Sequence, residues 1–223
     1  MTALVRYQAA ILFRSHRWVF PLISYVLLIS VAGVGGAESL GDGLSWSAAM
    51  LLPVVALLTR SMLTAEPQAA RACVAAAAGP RKAQFAVLLI GLAGGAVLAL
   101  AGAAYVLVTI GGLKMLHVHP GLLGASLATG LGKAVICAFV GSAVGTFCNP
   151  PVIRHQAVAL LSTIAAVVVA LVSSVSPASA ALRGSGAAIQ SDSWPTGVPF
   201  LVAAFLLVAS WLVSAGLAAR RGS

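Results

Sequence analysis

The chain has 223 residues, of which 61% are hydrophobic and only 8% charged, and its mean hydropathy is +1.06. Soluble globular domains carry roughly a quarter charged residues, so this composition excludes a soluble globule and indicates an integral membrane protein. The formal net charge is +9, but the basic residues flank apolar runs as head-group anchors do, which argues against a nucleic-acid partner.

The apolar stretches run unbroken for about 18 residues or more, the length that a membrane-spanning helix needs. They lack the short alternating strands of an outer-membrane barrel. We therefore predict an all-α integral membrane protein with six transmembrane helices, an N-terminal interfacial helix and a short cytoplasmic helix between the second and third spans. Residues 1–223 form a single membrane domain in this interpretation.

Residues 1–18 mix apolar and basic side chains at helical spacing. The apolar members are Leu4, Tyr7, Ala10, Ile11, Phe13 and Trp18, and the polar ones are Arg6, Gln8, Arg14, His16 and Arg17. This pattern predicts an amphipathic helix in the inner membrane interface, with its cations toward the lipid head groups. The alternative is a simple basic flank for the first span.

The first span is predicted at 19–35 and the second at 46–63, with Pro53 as a kink. A turn at 36–45 joins them. It carries Glu38 and Asp42, two of the four acidic residues of the chain.

Residues 64–82 form a polar interruption between two long apolar runs, and we predict a short helix there. Thr64 can cap it, Pro67 suits its first turn, and Gly79 with the following proline can close it. Its many alanines give high helix propensity and a flat, small-residue surface. Such a helix suits a rigid element that docks into a groove on a soluble partner. The alternative is an alanine-rich loop that only joins two spans.

The third span is predicted at 83–112, longer than a bilayer requires. One face of it consists of small residues, which allow helices to pack closely in lipid: Gly91, Gly94, Gly95, Ala99 and Gly102.

The fourth span is predicted at 121–148 and contains Lys133, a charge that costs roughly 2.5–3.5 kcal/mol at a helix centre. Lys133 either forms a polar lining for a substrate path or reaches outward from a span that begins near Leu127. We favour the second interpretation. His117 and His119 precede this span, and two histidines without further ligands favour a solvated loop over a metal site.

The fifth span is predicted at 156–175 and the sixth at 199–219. Between them, segment 176–198 is rich in Ser, Pro and Gly. It is either a plain outer loop or a stretch that dips into the outer leaflet with a short helix at 180–188.

Six spans place both termini on one side of the membrane, and the distribution of Lys and Arg then sets the orientation. Ten cations lie on the side of the termini and two on the other. The ten are Arg6, Arg14, Arg17, Arg60, Arg71, Arg81, Lys82, Arg154, Arg220 and Arg221, and the two are Lys114 and Arg183. We therefore expect a multi-pass protein of the cell (plasma) membrane with both termini and loop 64–82 in the cytoplasm.

The chain lacks the residue patterns of catalysis. It has no Gly-x-x-x-x-Gly-Lys-Ser/Thr segment to hold a nucleotide, and its four carboxylates lie outside the predicted spans, so a carboxylate-bound metal in the membrane is not expected. The three cysteines have no paired spacing and are interpreted as small apolar residues. We predict a protein that is not an enzyme and binds no cofactor or metal itself.

Residues 6–10 (RYQAA), 14–18 (RSHRW), 64–67 (TAEP) and 78–80 (AGP), together with the layout of the helices, resemble the permeases of ABC exporters. The nearest resemblance is to the drug, polysaccharide and lipid export class in its actinobacterial style. The resemblance covers nearly the whole chain in layout and only these stretches in residue detail.

The resemblance implies that loop 64–82 is a coupling helix that docks on a separate ABC ATPase subunit, which binds the ATP and Mg²⁺. It also implies a second copy of this permease or a sister permease. The coupling residues would be Thr64, Glu66, Pro67, Arg71, Gly79 and Arg81, and Lys133 is a possible member of the substrate path.

Two other functions remain open from the sequence. One is a six-span anchor that assembles or regulates another membrane complex. The other is a secondary transporter, which would usually carry carboxylates inside the membrane for ion coupling.

Overall fold

The computed structural model describes residues 2–15, 18–34, 39–65, 70, 73–74, 76–77, 79–109, 120–148, 156–173, 176–183 and 197–221. Within these residues the chain is helical and contains no strand. Its helices, in chain order, are α1 Thr2–Ser15, α2 Val19–Val34, α3 Leu40–Ala65, α4 Pro80–Thr109, α5 Pro120–Phe147, α6 Gln156–Val172, α7 Pro177–Arg183 and α8 Gly197–Arg221.

Four of the helices are long and apolar enough to cross a membrane. Their qualifying stretches are Leu40–Thr64, Lys82–Thr109, Leu123–Phe147 and Gly197–Gly216, and shorter apolar helices occupy Val19–Val31 and Val158–Val172. The expectation of an all-α chain is therefore confirmed for the described residues, and four of its helices are candidate membrane spans by length and composition.

Helix α3, which corresponds to the predicted second span, begins earlier than predicted because Ser39 caps it. The Ser39 hydroxyl donates to Asp42 Oδ2 at 2.6 Å, and the Asp42 backbone N–H donates back to Ser39 Oγ at 3.2 Å. Ser39 is therefore the N-cap residue: its Oγ accepts from the Asp42 N–H, one of the groups that a helix start leaves open, and the Asp42 carboxylate holds the serine hydroxyl in place. The turn predicted at 36–45 is thus wrong in its second half, where α3 has already begun.

Helix α3 is the centre of the bundle and packs against α2, α4, α5 and α6. Side chains on all its sides are buried over the middle turns, as expected for a helix surrounded by others. The fully buried ones include Leu51, Leu52, Val54, Val55 and Ala56.

The closest approach in the fold is between α3 and α5, at two glycines of α5. A Cβ atom added at Gly141 would lie 2.6 Å from the carbonyl oxygen of Leu52, and one added at Gly145 would lie 2.6 Å from that of Ala56. Only glycine lets two helix backbones approach so closely. The four-residue spacing puts both glycines on the same face of α5.

The small-residue face predicted on α4 is confirmed, and it packs on α3. Gly91 faces Thr59, Gly94 faces Leu58, and Gly95 faces Val55. Residue numbers rise on α4 as they fall on α3, so the two helices are antiparallel. On α5 the numbers rise with those of α3, so α3 and α5 run in the same direction.

Helix α8 runs in the same direction as α5. Near its start, the rings of Phe200 and Phe139 are 5.7 Å apart between centroids. Near its end, Gln84 Nε2 at the start of α4 donates to Ser214 Oγ at 3.1 Å, and Phe85 meets Trp211 edge-on.

The segment predicted as an outer loop or dipping stretch contains α7, Pro177–Arg183, which begins three residues before the predicted start at 180; residues 184–188 of the predicted helix lie outside the described residues. Its Ala178 and Ala181 are buried, and it packs against α5, α6 and α8. The side chains of α7 therefore belong to the core of the bundle.

Candidate functional site

A polar layer crosses the bundle between two apolar clusters. The smaller cluster comprises Leu40, Leu44, Ala103, Val106 and Leu123. The larger one fills the rest of the bundle from Ala48 on α3 and Ala134 on α5 onward. On α3 and α5 the polar side chains Ser45, Ser47 and Lys133 lie between the two clusters, and together with Tyr25 of α2, which also belongs to the larger cluster, we call them the polar layer.

Lys133 is the charged member of the polar layer and is only 6% exposed. Its Nζ donates to Ser45 Oγ at 2.8 Å, and Ser45 Oγ donates in turn to the carbonyl oxygen of Gly41 at 2.8 Å. The exposed carboxylate of Asp42, one turn before Ser45, is near enough to act electrostatically on the ammonium group. A buried cation is stable in such a place because polar partners replace its water.

Tyr25 and Ser47 complete the polar layer. Tyr25 is 2% exposed, and its hydroxyl is 3.0 Å from Ser47 Oγ. Both atoms lie against Gly102, where any larger side chain would collide with them. The buried thiol of Cys137 is within electrostatic range of both Tyr25 and Lys133. The layer therefore joins α2, α3, α4 and α5 at one level of the bundle.

The interpretation that we favoured for Lys133 is wrong. Helix α5 begins at Pro120, well before Leu127, and the lysine side chain turns into the bundle toward α3. The lysine does not need to reach the surface, because the hydroxyl of Ser45 and the carboxylate of Asp42 lie within its range.

The other candidate region is the connection between α3 and α4. Its described residues Ala70, Cys73, Val74, Ala76 and Ala77 are all helical. Gly79 then takes φ +88°, the left-handed conformation that ends a helix, and Pro80 stands in the first turn of α4, where its missing N–H costs nothing.

Thr64 does not begin a new helix as we predicted, because it is still part of α3. Its Oγ1 donates to the carbonyl oxygen of Arg60 at 3.0 Å, which closes the last turn of α3. Of the other residues predicted for coupling, Arg81 lies in the first turn of α4, and Glu66, Pro67 and Arg71 lie outside the described residues. His117 and His119 also lie outside them.

Ser45, Ser47 and Tyr25 were missed by the sequence analysis. Each is a common residue within an apolar run. Only the packing of α2, α3 and α5 against one another places these side chains at the same level of the bundle as Lys133. The N-cap at Ser39 did have a sequence signal, a serine followed three residues later by an acidic residue.

The described residues contain no group of three His, Cys, Asp or Glu side chains that could hold a metal ion. Comparison of the chain with protein-family models, with curated proteins and with solved structures finds no match.

Proposed function

We propose that this chain is the membrane-spanning subunit of an ABC exporter, which crosses the membrane six times and is driven by a separate ATPase subunit. In this proposal the connection between α3 and α4 is the coupling element, and the polar layer lies on the substrate path. Both termini and the connection face the cytoplasm, in line with the distribution of Lys and Arg.

The helix directions support six crossings. Helices α3, α5 and α8 run one way and α4 runs the other, so the chain must return across the bundle between α5 and α8. Helix α6, with 17 residues, is about 26 Å long at 1.5 Å per residue and suits that return. Helix α2, with 16 residues, leads into α3 from the opposite direction.

The observation that carries the proposal is that the described residues 70, 73–74 and 76–77 of the connection between α3 and α4 are helical. This connection joins α3, the most buried of the four long helices, directly to α4. Helix α4 packs on α3 through Gly91, Gly94 and Gly95. A displacement of this connection by the ATPase moves both α3 and α4. Helix α5 moves with α3 because their backbones are in contact at Gly141 and Gly145. A flexible loop would not transmit the same displacement to the helices.

The polar layer gives the path a point at which a polar or anionic part of a substrate can be bound. In the present arrangement Leu40, Leu44 and Leu123 cover it from one end of the bundle. We assign this arrangement to a closed path, which opens at that end when the small apolar cluster separates.

Cys73 allows the orientation to be tested without adding a label site. It is exposed, whereas Cys137 and Cys148 are buried, so a membrane-impermeant maleimide should modify the chain at Cys73. We expect labelling in inside-out vesicles and none in intact cells, with Cys73→Ser as the unlabelled control. Labelling of Cys73 from outside intact cells would refute a cytoplasmic coupling element.

The partner is tested by co-purification. We expect an ABC ATPase reading frame beside that of this chain. When the two are expressed together, the tagged chain and the ATPase should purify as a complex that the double change Glu66→Ala and Arg71→Ala disrupts. Thr129→Ala is the matched control, because Thr129 is exposed on α5 and its hydroxyl bonds to its own helix. Retention of the ATPase by the double variant would contradict the assigned contacts.

Transport separates this proposal from the anchor or assembly role. An exporter subunit reconstituted with its ATPase should stimulate ATP hydrolysis in response to a substrate, and Lys133→Met should alter that stimulation. A complex that forms but never shows stimulated hydrolysis, with any of a panel of lipids and hydrophobic drugs, would favour the anchor.

A further inference from the structure

Two fully buried hydroxyl groups lie in the part of the bundle where α3, α4 and α5 pack against one another. Thr59 on α3 and Ser142 on α5 are both 0% exposed. Among the residues that the structure describes, neither Thr59 Oγ1 nor Ser142 Oγ has a hydrogen-bond partner. Thr146 and Thr163 are almost as deeply buried, yet each donates to a carbonyl oxygen of its own helix at 2.7 Å. Thr59 and Ser142 therefore each carry a donor that the described protein atoms do not satisfy.

Thr59 points into the space beside Gly91 of α4. A Cβ atom added at Gly91 would lie 3.6 Å from Thr59 Oγ1, and one added at Gly145 of α5 would lie 3.0 Å from Thr59 Cβ. The Thr59 side chain therefore lies between α4 and α5, with its oxygen on the side of α4. Because Gly91 has no side chain, α4 leaves about the volume of a methyl group next to this oxygen.

Ser142 reaches the same place from α5. A Cβ atom added at Gly95 of α4 would lie 3.9 Å from Ala138 Cβ on α5. Helices α4 and α5 run in opposite directions, so one turn toward the start of α4 and one turn toward the end of α5 brings Gly91 opposite Ser142. The packing of the three helices therefore brings both hydroxyls to Gly91.

The chemistry of this place points to water as its ligand. A buried hydroxyl without a partner is unfavourable, and ordered water satisfies such groups in the interior of proteins and between membrane helices. Water both donates and accepts, so one molecule can serve two hydroxyls, with the second lone pair of a helix carbonyl as a further acceptor. A cation suits the place less well, because hard cations take six or more oxygen ligands and Thr59 and Ser142 offer two neutral ones.

We infer that a water molecule is bound between Thr59 Oγ1 and Ser142 Oγ, beside Gly91, and we call this place the buried-water site. It is separate from the polar layer, because Ser142 is nine residues beyond Lys133 on α5, about 14 Å along the helix axis. The water joins α3 to α5 by hydrogen bonds at a level that the polar layer does not reach. This inference is independent of the proposed export function, since it concerns how the bundle is held together.

The first test measures the equilibrium constant of unfolding of the full chain, purified in mixed micelles and titrated with sodium dodecyl sulfate. A double-mutant cycle uses Thr59→Val and Ser142→Ala. A third variant, Gly91→Ala, places a methyl group in the buried-water site at an ordinary van der Waals distance from its neighbours. Gly132→Ala is the matched control, because an added Cβ there meets no atom within 4 Å.

We expect the two hydroxyls to be coupled by about threefold in the equilibrium constant, as for a hydrogen bond between membrane helices. Gly132→Ala should gain about two- to fivefold from helix propensity, and Gly91→Ala should lack this gain because its methyl group displaces the water. Zero coupling would show that each hydroxyl bonds within its own helix, and an equal gain in both alanine variants would show that the space holds no water. A loss of stability when choline replaces Na⁺ at equal ionic strength would assign the site to a cation. Each of these three results would overturn the inference.

A second measurement uses the unmodified chain and so does not depend on the folding of the variants. Millisecond X-ray pulses split bound water into hydroxyl radicals, which oxidise the nearest susceptible side chain, and the thioether of methionine is readily oxidised. Met62 is buried, and its Cγ would lie 3.9 Å from a Cβ added at Gly91. We expect Met62 to be oxidised at least as fast as the less buried Met50, and Gly91→Ala to slow the oxidation of Met62 alone. Slow oxidation of Met62 in the unmodified chain, or the same rate with and without Gly91→Ala, would refute the buried-water site.

Discussion

Replacement of Gly145 by alanine tests the close approach of α3 and α5. The added Cβ would lie 2.6 Å from the Ala56 carbonyl oxygen, 3.0 Å from Thr59 Cβ and 3.2 Å from Ala56 Cα. None of these atoms is the end of a flexible side chain, so none can rotate away. The two helices must separate by about 0.8 Å before the nearest pair reaches an ordinary van der Waals distance.

Overpacking of this kind costs typically about 1–3 kcal/mol. Alanine also gains about 0.5–1 kcal/mol over glycine from helix propensity, which would partly hide the steric cost. Gly132→Ala removes this ambiguity. Gly132 lies in the same helix, and an added Cβ there meets no atom within 4 Å. The difference between the two variants therefore isolates the steric cost.

The free energy of unfolding is measured by titrating the purified chain in mixed micelles with sodium dodecyl sulfate, with helix content followed by circular dichroism. We expect Gly145→Ala to be less stable than Gly132→Ala by about 1–3 kcal/mol. Gly141→Ala should resemble Gly145→Ala, since its Cβ would lie 2.6 Å from the Leu52 carbonyl oxygen. Equal stability of the Gly145 and Gly132 variants would refute the backbone contact.

Two predictions concern the polar layer and use the same titration. Asp42→Asn should destabilise the chain by about 0.5–1 kcal/mol, because water screens the attraction of its exposed carboxylate for the buried ammonium group of Lys133. Lys133→Met should leave stability unchanged or raise it, because it removes a buried charge. The reverse order would contradict the electrostatic account. Tyr25→Phe and Ser47→Ala should show a coupling energy of about 0.6 kcal/mol in a double-mutant cycle, which is the average for a hydrogen bond between membrane helices. A coupling energy of zero would mean that the two hydroxyls do not interact.

The sequence was informative where a pattern repeats within one helix. The small-residue face of α4 was predicted from residues three, four and seven positions apart, and it is the face that packs on α3. Helix boundaries were less accurate, since the apolar run alone placed the start of α3 at residue 46, whereas the N-cap at Ser39 places it at Leu40.

The polar layer was beyond sequence analysis for a physical reason. Lys133 and Ser45 are 88 residues apart in the chain, and Tyr25 and Ser47 are 22 apart. Their contacts depend on the relative positions of α2, α3 and α5 along the bundle axis, and the backbone contact at Gly141 and Gly145 fixes the positions of α3 and α5. An isolated lysine in an apolar run therefore could not indicate its own partner.

Among the described residues, the two apolar clusters next to the polar layer are unequal in size, and this inequality makes the described part of the bundle thermodynamically asymmetric along its length. A cooperative unit with few buried side chains opens at a lower free energy than one with many. The end of the bundle built from Leu40, Leu44 and Leu123 is therefore the first to exchange its amide hydrogens. Water that enters during such an opening reaches Lys133 before it reaches any part of the larger core.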